Sequence, residues 1–334
     1  IFKFELVNDE NELNAYLNDG FLTPENNVER IIYIILFIIF LIYGITSLTF
    51  FYLLRESYII RQRGFSLTFS GGILTLINII FGFIPQITEV PCAFTLFSAN
   101  VINVAVNFIF LTRSYRVIFN YHFNIYKVSS INNKKIKGTY DASIEPNSYL
   151  PKINRRINKL LFMIVVIPVL IAIFATLVIY FKYHEKLKND CPLFGNYERS
   201  DAMLALKHNT GKELFRVVVF YGILFFVLSF INTIGLYFVK DANKYGIKFE
   251  CMSVSIMVIV FNIINIVVQI FGSTESDAGN LVKNEKKYKA FLAFFEKTKG
   301  GKILFTIVQV YMLFVSISLP VIHYYKARFN KNSY

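Results

Sequence analysis

Three asparagines, Asn100, Asn103 and Asn107, stand in a stretch that carries no charge for 20 residues after Cys92. Spacings of three and four put their amides on one face of a helix. An amide facing hydrocarbon without a partner costs several kcal/mol, so that face must look at protein or at water. The spacing recurs at Asn262, Asn265 and Gln269, while Asn232 lies between Ser229 and Thr233, and Asn78 follows Thr75 by three residues. Uncharged polar faces on several helices can do one of two things. They can hydrogen-bond across helix contacts, at about 0.6 kcal/mol per pair, or they can line a cavity or network that a ligand biases. Residue types alone leave both open.

Other chemistries lack their residues. Between the ends of the long apolar blocks there is no Asp, Glu, Lys or Arg except Arg113 and Arg216 at the margins, whereas pumps and ion-coupled carriers bury such groups along their pathway. A retinal Schiff base would need a lysine between Lys302 and Lys326, and none is there. The four histidines form no H-E-x-x-H pair. No catalytic residue, metal site, cofactor or nucleic-acid partner is expected, and the chain is not read as an enzyme.

The elements that must position the amides follow from composition. The chain has 334 residues, 55% hydrophobic and only 17% charged, with a mean hydropathy of +0.49. A soluble chain of this size would carry about a quarter charged residues. Seven blocks reach membrane-spanning length, near 31–54, 66–87, 92–115, 160–181, 215–239, 251–271 and 303–325. The second is the weakest, interrupted by "SGG" at 70–72, although small residues also serve close helix packing. The expected fold is an all-α membrane protein: a seven-transmembrane helix bundle over 31–325, preceded by an extracellular tail (1–30) and followed by a cytoplasmic one (326–334). Because the chain starts at Ile1 rather than Met, the tail is read as truncated.

Orientation comes from basic residues near span ends. The first loop holds Arg55, Arg61 and Arg63; the second, "QITEVP", has none; the third, 116–159, is densely basic. The N-terminal tail has seven acids against Lys3 and Arg30. This puts the N-terminus outside and the C-terminus in the cytoplasm, in a multi-pass protein of the plasma membrane. The segment 120–159 reads as a polar, solvated loop whose charge can also hold anionic lipid headgroups. The lysine- and phenylalanine-bearing stretch 281–300 reads as an amphipathic helix on the outer surface. On this topology Cys92 and Cys191 both lie outside, where an oxidising medium allows them to pair and pin the intervening loop; two unpaired thiols are the alternative. Cys251 falls at the cytoplasmic end of span six.

A Cys at the head of the third helix, with another in the loop before the fifth, resembles the G-protein-coupled receptor superfamily. "RESYIIRQRG" after span one, "LTRSYRVIF" at the inner end of span three, "KDANKYGIKFE" between spans five and six, and "SISLPVIHYY" in span seven are similar to the fungal, plant and amoebal seven-helix proteins that carry a cytoplasmic RGS domain. The resemblance covers about residues 31–328; this chain holds no RGS domain, and one appended beyond Tyr334, speeding GTP hydrolysis, is what the resemblance implies. It implies a heterotrimeric G-protein α subunit as partner, an extracellular ligand of unknown class, and contact with membrane lipid. The implied coupling surface is basic: Arg55, Arg61, Arg63, Arg113, Arg116, Lys240 and Lys248, with Asp241, Gly246 and Glu250 shaping the short third loop. Pro320, four residues before Tyr324, removes a backbone hydrogen bond and is expected to kink span seven into a moving part. Thr112 precedes Arg113 where rhodopsin-like receptors often have an acid, so that type of acid–arginine lock is not expected. A glutamate/GABA-B-type receptor with an upstream ectodomain is the alternative within signalling. A passive channel or carrier for small polar solutes, lined by the asparagines, is the alternative outside it.

Overall fold

The computed structural model describes residues 25–88, 91–136, 149–184, 210–240, 246–273 and 302–331. Among them there is no strand, and seven helices are long and apolar enough to cross a membrane. They are α1 (Glu25–Leu53), α2 (Phe65–Ile87), α3, α4 (Tyr149–Lys182), α5 (Thr210–Phe238), α6 (Ile247–Ser273) and α7. Two of them change pitch. Helix α3 joins Cys92–Phe97 to Asn103–Ile136 through a π turn at Ser98–Ile102. Helix α7 joins Lys302–Leu313 to Leu319–Lys331 through another at Phe314–Ser318.

Each of the seven expected blocks coincides with one of these helices. The polar segment 120–159 departs from its expected loop, because α3 runs on to Ile136 and α4 begins at Tyr149. Only 137–148 separates them, and that stretch lies outside the described residues. So does 281–300.

Burial ranks the helices. In the apolar window of α3, 50% of residues are buried, and 56% in that of α7, against 11% for α1 and for α4. α3 and α7 are therefore the inner elements and α1 and α4 the lipid-facing ones. One core cluster gathers Val106, Phe108, Phe110, Phe225, Val258 and Met312 from α3, α5, α6 and α7. A second gathers Leu48, Phe51, Leu76, Phe83 and Ile317 from α1, α2 and α7. Helix α7 belongs to both and joins the two halves.

The "SGG" stretch does not break α2. A Cβ on Gly71 would lie 2.9 Å from Ile109, and one on Gly72 would lie 2.9 Å from both Ile317 and Leu48. These glycines let α2 sit close against α3, α7 and α1, so dispersion contacts along the helices replace a hydrophobic drive that lipid cannot supply.

Candidate functional site

Glu250 stands in the first turn of α6, where the positive end of the helix dipole favours a carboxylate. It is fully buried. Arg63 reaches it from the turn between α1 and α2: its Nε donates to Oε1 at 2.8 Å and to Oε2 at 3.1 Å, and its Nη2 donates to Oε1 at 2.6 Å. Arg113, on α3, donates from Nη2 to Oε2 at 2.6 Å. One carboxylate thus joins three parts of the bundle at its basic end. Arg63 Nη1 also donates to the Ile59 carbonyl at 2.5 Å, and Thr68 Oγ1 donates to the Arg63 carbonyl at 3.0 Å. The guanidinium is held from both sides.

Two guanidiniums against one carboxylate leave the buried triad at a formal charge of +1. Arg113 Nε, moreover, has no hydrogen-bond partner. Removing one member of a buried ion pair strands the remaining charge at about 3–5 kcal/mol. The arrangement is therefore stiff as long as it is complete.

The surroundings explain how the turn delivers Arg63. A single-turn helix, Tyr58–Gln62, follows α1, and Gly64 then takes φ +71° to start α2. A Cβ on Gly64 would meet the tip of the Arg116 guanidinium, which can shift, so it is the positive φ that disfavours a larger residue here. Across the bundle, Lys248 Nζ donates to the Tyr237 and Val239 carbonyls at 3.0 and 2.6 Å. It satisfies carbonyls at the end of α5, which leave their helix partnerless.

These positions correct part of the expected coupling surface. Arg63, Arg113, Gly246 and Glu250 are buried and form no exposed face. Arg55, Arg61 and Lys240 are exposed, while Arg116 and Lys248 are half-buried. Arg55 lies 4.8 Å over the Tyr52 ring and donates to its hydroxyl at 2.6 Å. Asp241 lies outside the described residues. An acid–arginine link does exist, but its acid comes from α6 rather than from the residue before Arg113.

The asparagine stripes divide into two kinds. Asn232 Nδ2 donates to Ser255 Oγ at 2.6 Å across α5 and α6, and Ser255 Oγ donates to the Cys251 carbonyl at 2.9 Å, while the buried Asn232 Oδ1 has no partner. Asn262 Nδ2 donates to the Val258 carbonyl at 2.8 Å, and Asn107 Nδ2 donates to the Asn103 carbonyl and Oδ1 at 2.9 and 2.8 Å. Asn78 and Asn100 differ. Both are buried, yet Asn78 Nδ2 and both polar atoms of the Asn100 side chain lack partners. The side chains of Asn265 and Gln269 lie outside the described residues, as do Cys191 and the side chain of Cys92, so the expected pairing of the two cysteines falls there too.

Helix α7 adds a residue that the stripes did not include. Gln309 is buried with an unpartnered Oε1. Close approaches place it at the depth of Asn78: a Cβ on Gly82 would lie 3.8 Å from Thr306, and one on Gly72 would lie 2.9 Å from Ile317. On the other side of α2, Phe81 meets Phe94 at 4.7 Å between ring centroids, and Gly71 faces Ile109. Asn100 falls between those contacts. Three amides from α2, α3 and α7 thus occupy one level, with the π turn of α3 at Asn100 itself.

Pro320 is buried in α7 two residues after its π turn, and Tyr324 is half-buried. The turn also carries Ser318, whose hydroxyl hydrogen-bonds to Tyr43 Oη at 2.6 Å and donates to Ser47 Oγ at 3.1 Å. A π turn is a common site of adjustment within a helix. Here it lies where the proline removes a backbone hydrogen bond and where α7 is tied to α1.

No family model, curated protein or solved structure matches this chain.

Proposed function

We propose that the chain is the membrane domain of a G-protein-coupled-receptor-like signalling protein of the plasma membrane. An extracellular cue biases the bundle between two packings, and the basic end, on the cytoplasmic side, presents the result to a heterotrimeric G-protein α subunit. The observation that carries this is Glu250, buried and shared between Arg63 and Arg113. Such a link holds α6 against α3 and the first turn in one packing and is lost if α6 moves away. Arg55, Arg61 and Lys240, exposed at the same end, supply cations for an acidic partner surface. The unpartnered amides at the level of Asn100 support the other half of the reading, since polar groups left unsatisfied in one packing favour any state or ligand that satisfies them.

The test is nucleotide exchange on a co-reconstituted G protein. Glu250→Gln keeps the shape of the side chain but removes its charge. It raises exchange without any cue, whereas unchanged exchange at equal expression counts against signalling through this link.

A passive route for small polar solutes is the second reading, favoured by the level of Asn78, Asn100 and Gln309. It requires solute flux in liposomes that Asn100→Leu abolishes, with no effect of the bundle on guanine-nucleotide exchange.

A further inference from the structure

A groove of about 670 Å³ opens on the lipid-facing side of the bundle between α3, α4 and α5. Its inner wall is Phe108, Leu111 and Leu228, and its α4 wall runs from Arg156 and Lys159 through Met163 to Pro168. The wall is almost wholly apolar, and Arg156 and Lys159 border it at one end. Arg156 and Lys159 are exposed there, and neither has an ion-pair or hydrogen-bond partner among the described residues. Below them Leu160, Met163 and Ile167 are each close to half exposed, at 48%, 46% and 45%.

The dimensions fit one leaflet. From Arg156 to Pro168 is twelve residues of helix, or about 18 Å at ~1.5 Å per residue. Half of a ~30 Å hydrocarbon core is about 15 Å. Two cations at headgroup depth above an apolar trench one leaflet long match a single amphiphile with an anionic head. A peptide in the same trench would leave its backbone amides unpaired against hydrocarbon. A neutral sterol would leave both cations without a counter-charge.

We infer that this groove is a binding site for one phospholipid with an anionic headgroup, whose phosphate pairs with Arg156 and Lys159 while an acyl chain lies between α3, α4 and α5. The site uses none of the residues assigned to signalling and stands whether or not the chain couples to a G protein.

Native mass spectrometry of the whole chain, released from bilayers of phosphatidylcholine mixed with phosphatidylglycerol, reads it directly. The unaltered chain retains one phosphatidylglycerol in preference to phosphatidylcholine. Each basic residue near the surface contributes about fivefold, so the double variant Arg156→Gln/Lys159→Gln loses roughly thirtyfold of that preference while still binding phosphatidylcholine. Arg155→Gln, which removes an exposed charge next to the groove but not in it, leaves the preference intact. Ile167→Trp, which fills the trench, lowers retention of both lipids. Equal retention of the two lipids by the unaltered chain overturns the inference. So does a preference that survives the double variant, or one that Arg155→Gln lowers as much, since a general basic surface would then account for it.

Discussion

Gly64 and Glu250 set the terms at the basic end. With φ at +71° and the Arg116 guanidinium where a Cβ would stand, Gly64→Ala meets two separate penalties. The conformational one is on the order of 1–3 kcal/mol; the contact falls on the flexible end of Arg116 and can relax. A melting series separates them: Gly64→Ala lowers Tm, and adding Arg116→Ala restores only part of the loss. Full restoration would mean that backbone strain plays no part. Glu250→Ala is costlier, because it strands two buried guanidiniums; a loss of about 3–5 kcal/mol is expected. Much of this was hidden in the sequence. Glu250 looks like a loop acid at a span margin, yet Val254, Val258 and Asn262 continue its helical spacing and are buried with it. That periodicity was the available signal, and the resemblance pulled the other way by placing Arg63 and Arg113 on a surface.

Helix contacts sort the glycines and the amides by what faces them. Gly72 is pressed from two sides by Ile317 and Leu48, whereas Gly82 has only Thr306 at an ordinary 3.8 Å. Gly72→Ala therefore lowers the melting temperature of the purified bundle, while Gly82→Ala leaves it unchanged or raises it, since alanine favours the helix by about 1 kcal/mol. The amides divide in the same way. Asn232 bonds across to Ser255 through Nδ2 while its buried Oδ1 has no partner, so Asn232→Leu gives up a contact averaging about 0.6 kcal/mol but also removes one unsatisfied acceptor, and its net effect on Tm is smaller than that of Asn100→Leu. Asn100 is buried without a partner, and an unsatisfied buried group costs about 1–3 kcal/mol, so Asn100→Leu raises Tm. If Asn100 belongs to the cue-sensing level, the same variant blunts the response to a cue. A fall in Tm would instead mean that bound water or a ligand satisfies the amide. Spacing along one helix located these stripes but could not separate them, because whether an amide is bonded depends on the helix opposite. Gln309 had a signal of the same kind, since Thr306 precedes it by three residues and Ser316 follows it by seven, but a single amide among hydroxyls does not stand out as a stripe.

At the scale of the molecule, the seven spans were legible because length and apolarity are properties of each block alone. The two core clusters that α7 joins, and the link that fixes α6 to α3 and to the turn between α1 and α2, are properties of their assembly. That link joins residues 187 positions apart, Arg63 and Glu250, and 137 apart, Arg113 and Glu250. Its mechanical consequence can be measured as a distance. If the triad holds one of two packings, removing about 3 kcal/mol of its stabilisation multiplies the population of the other by roughly 150. A state present at about 1% would then become the majority. Spin labels at the exposed Arg61 and Lys240 report this end of the bundle without touching the triad. Electron–electron resonance on the otherwise unaltered protein gives a single distance population. Adding Glu250→Gln brings in a second, longer one, as the start of α6 and the end of α5 swing out together. If the distribution broadens without a second maximum, the triad stiffens one packing and does not choose between two. Nucleotide exchange that nonetheless rose in that variant would then have to arise from the loosened basic end rather than from a second packing.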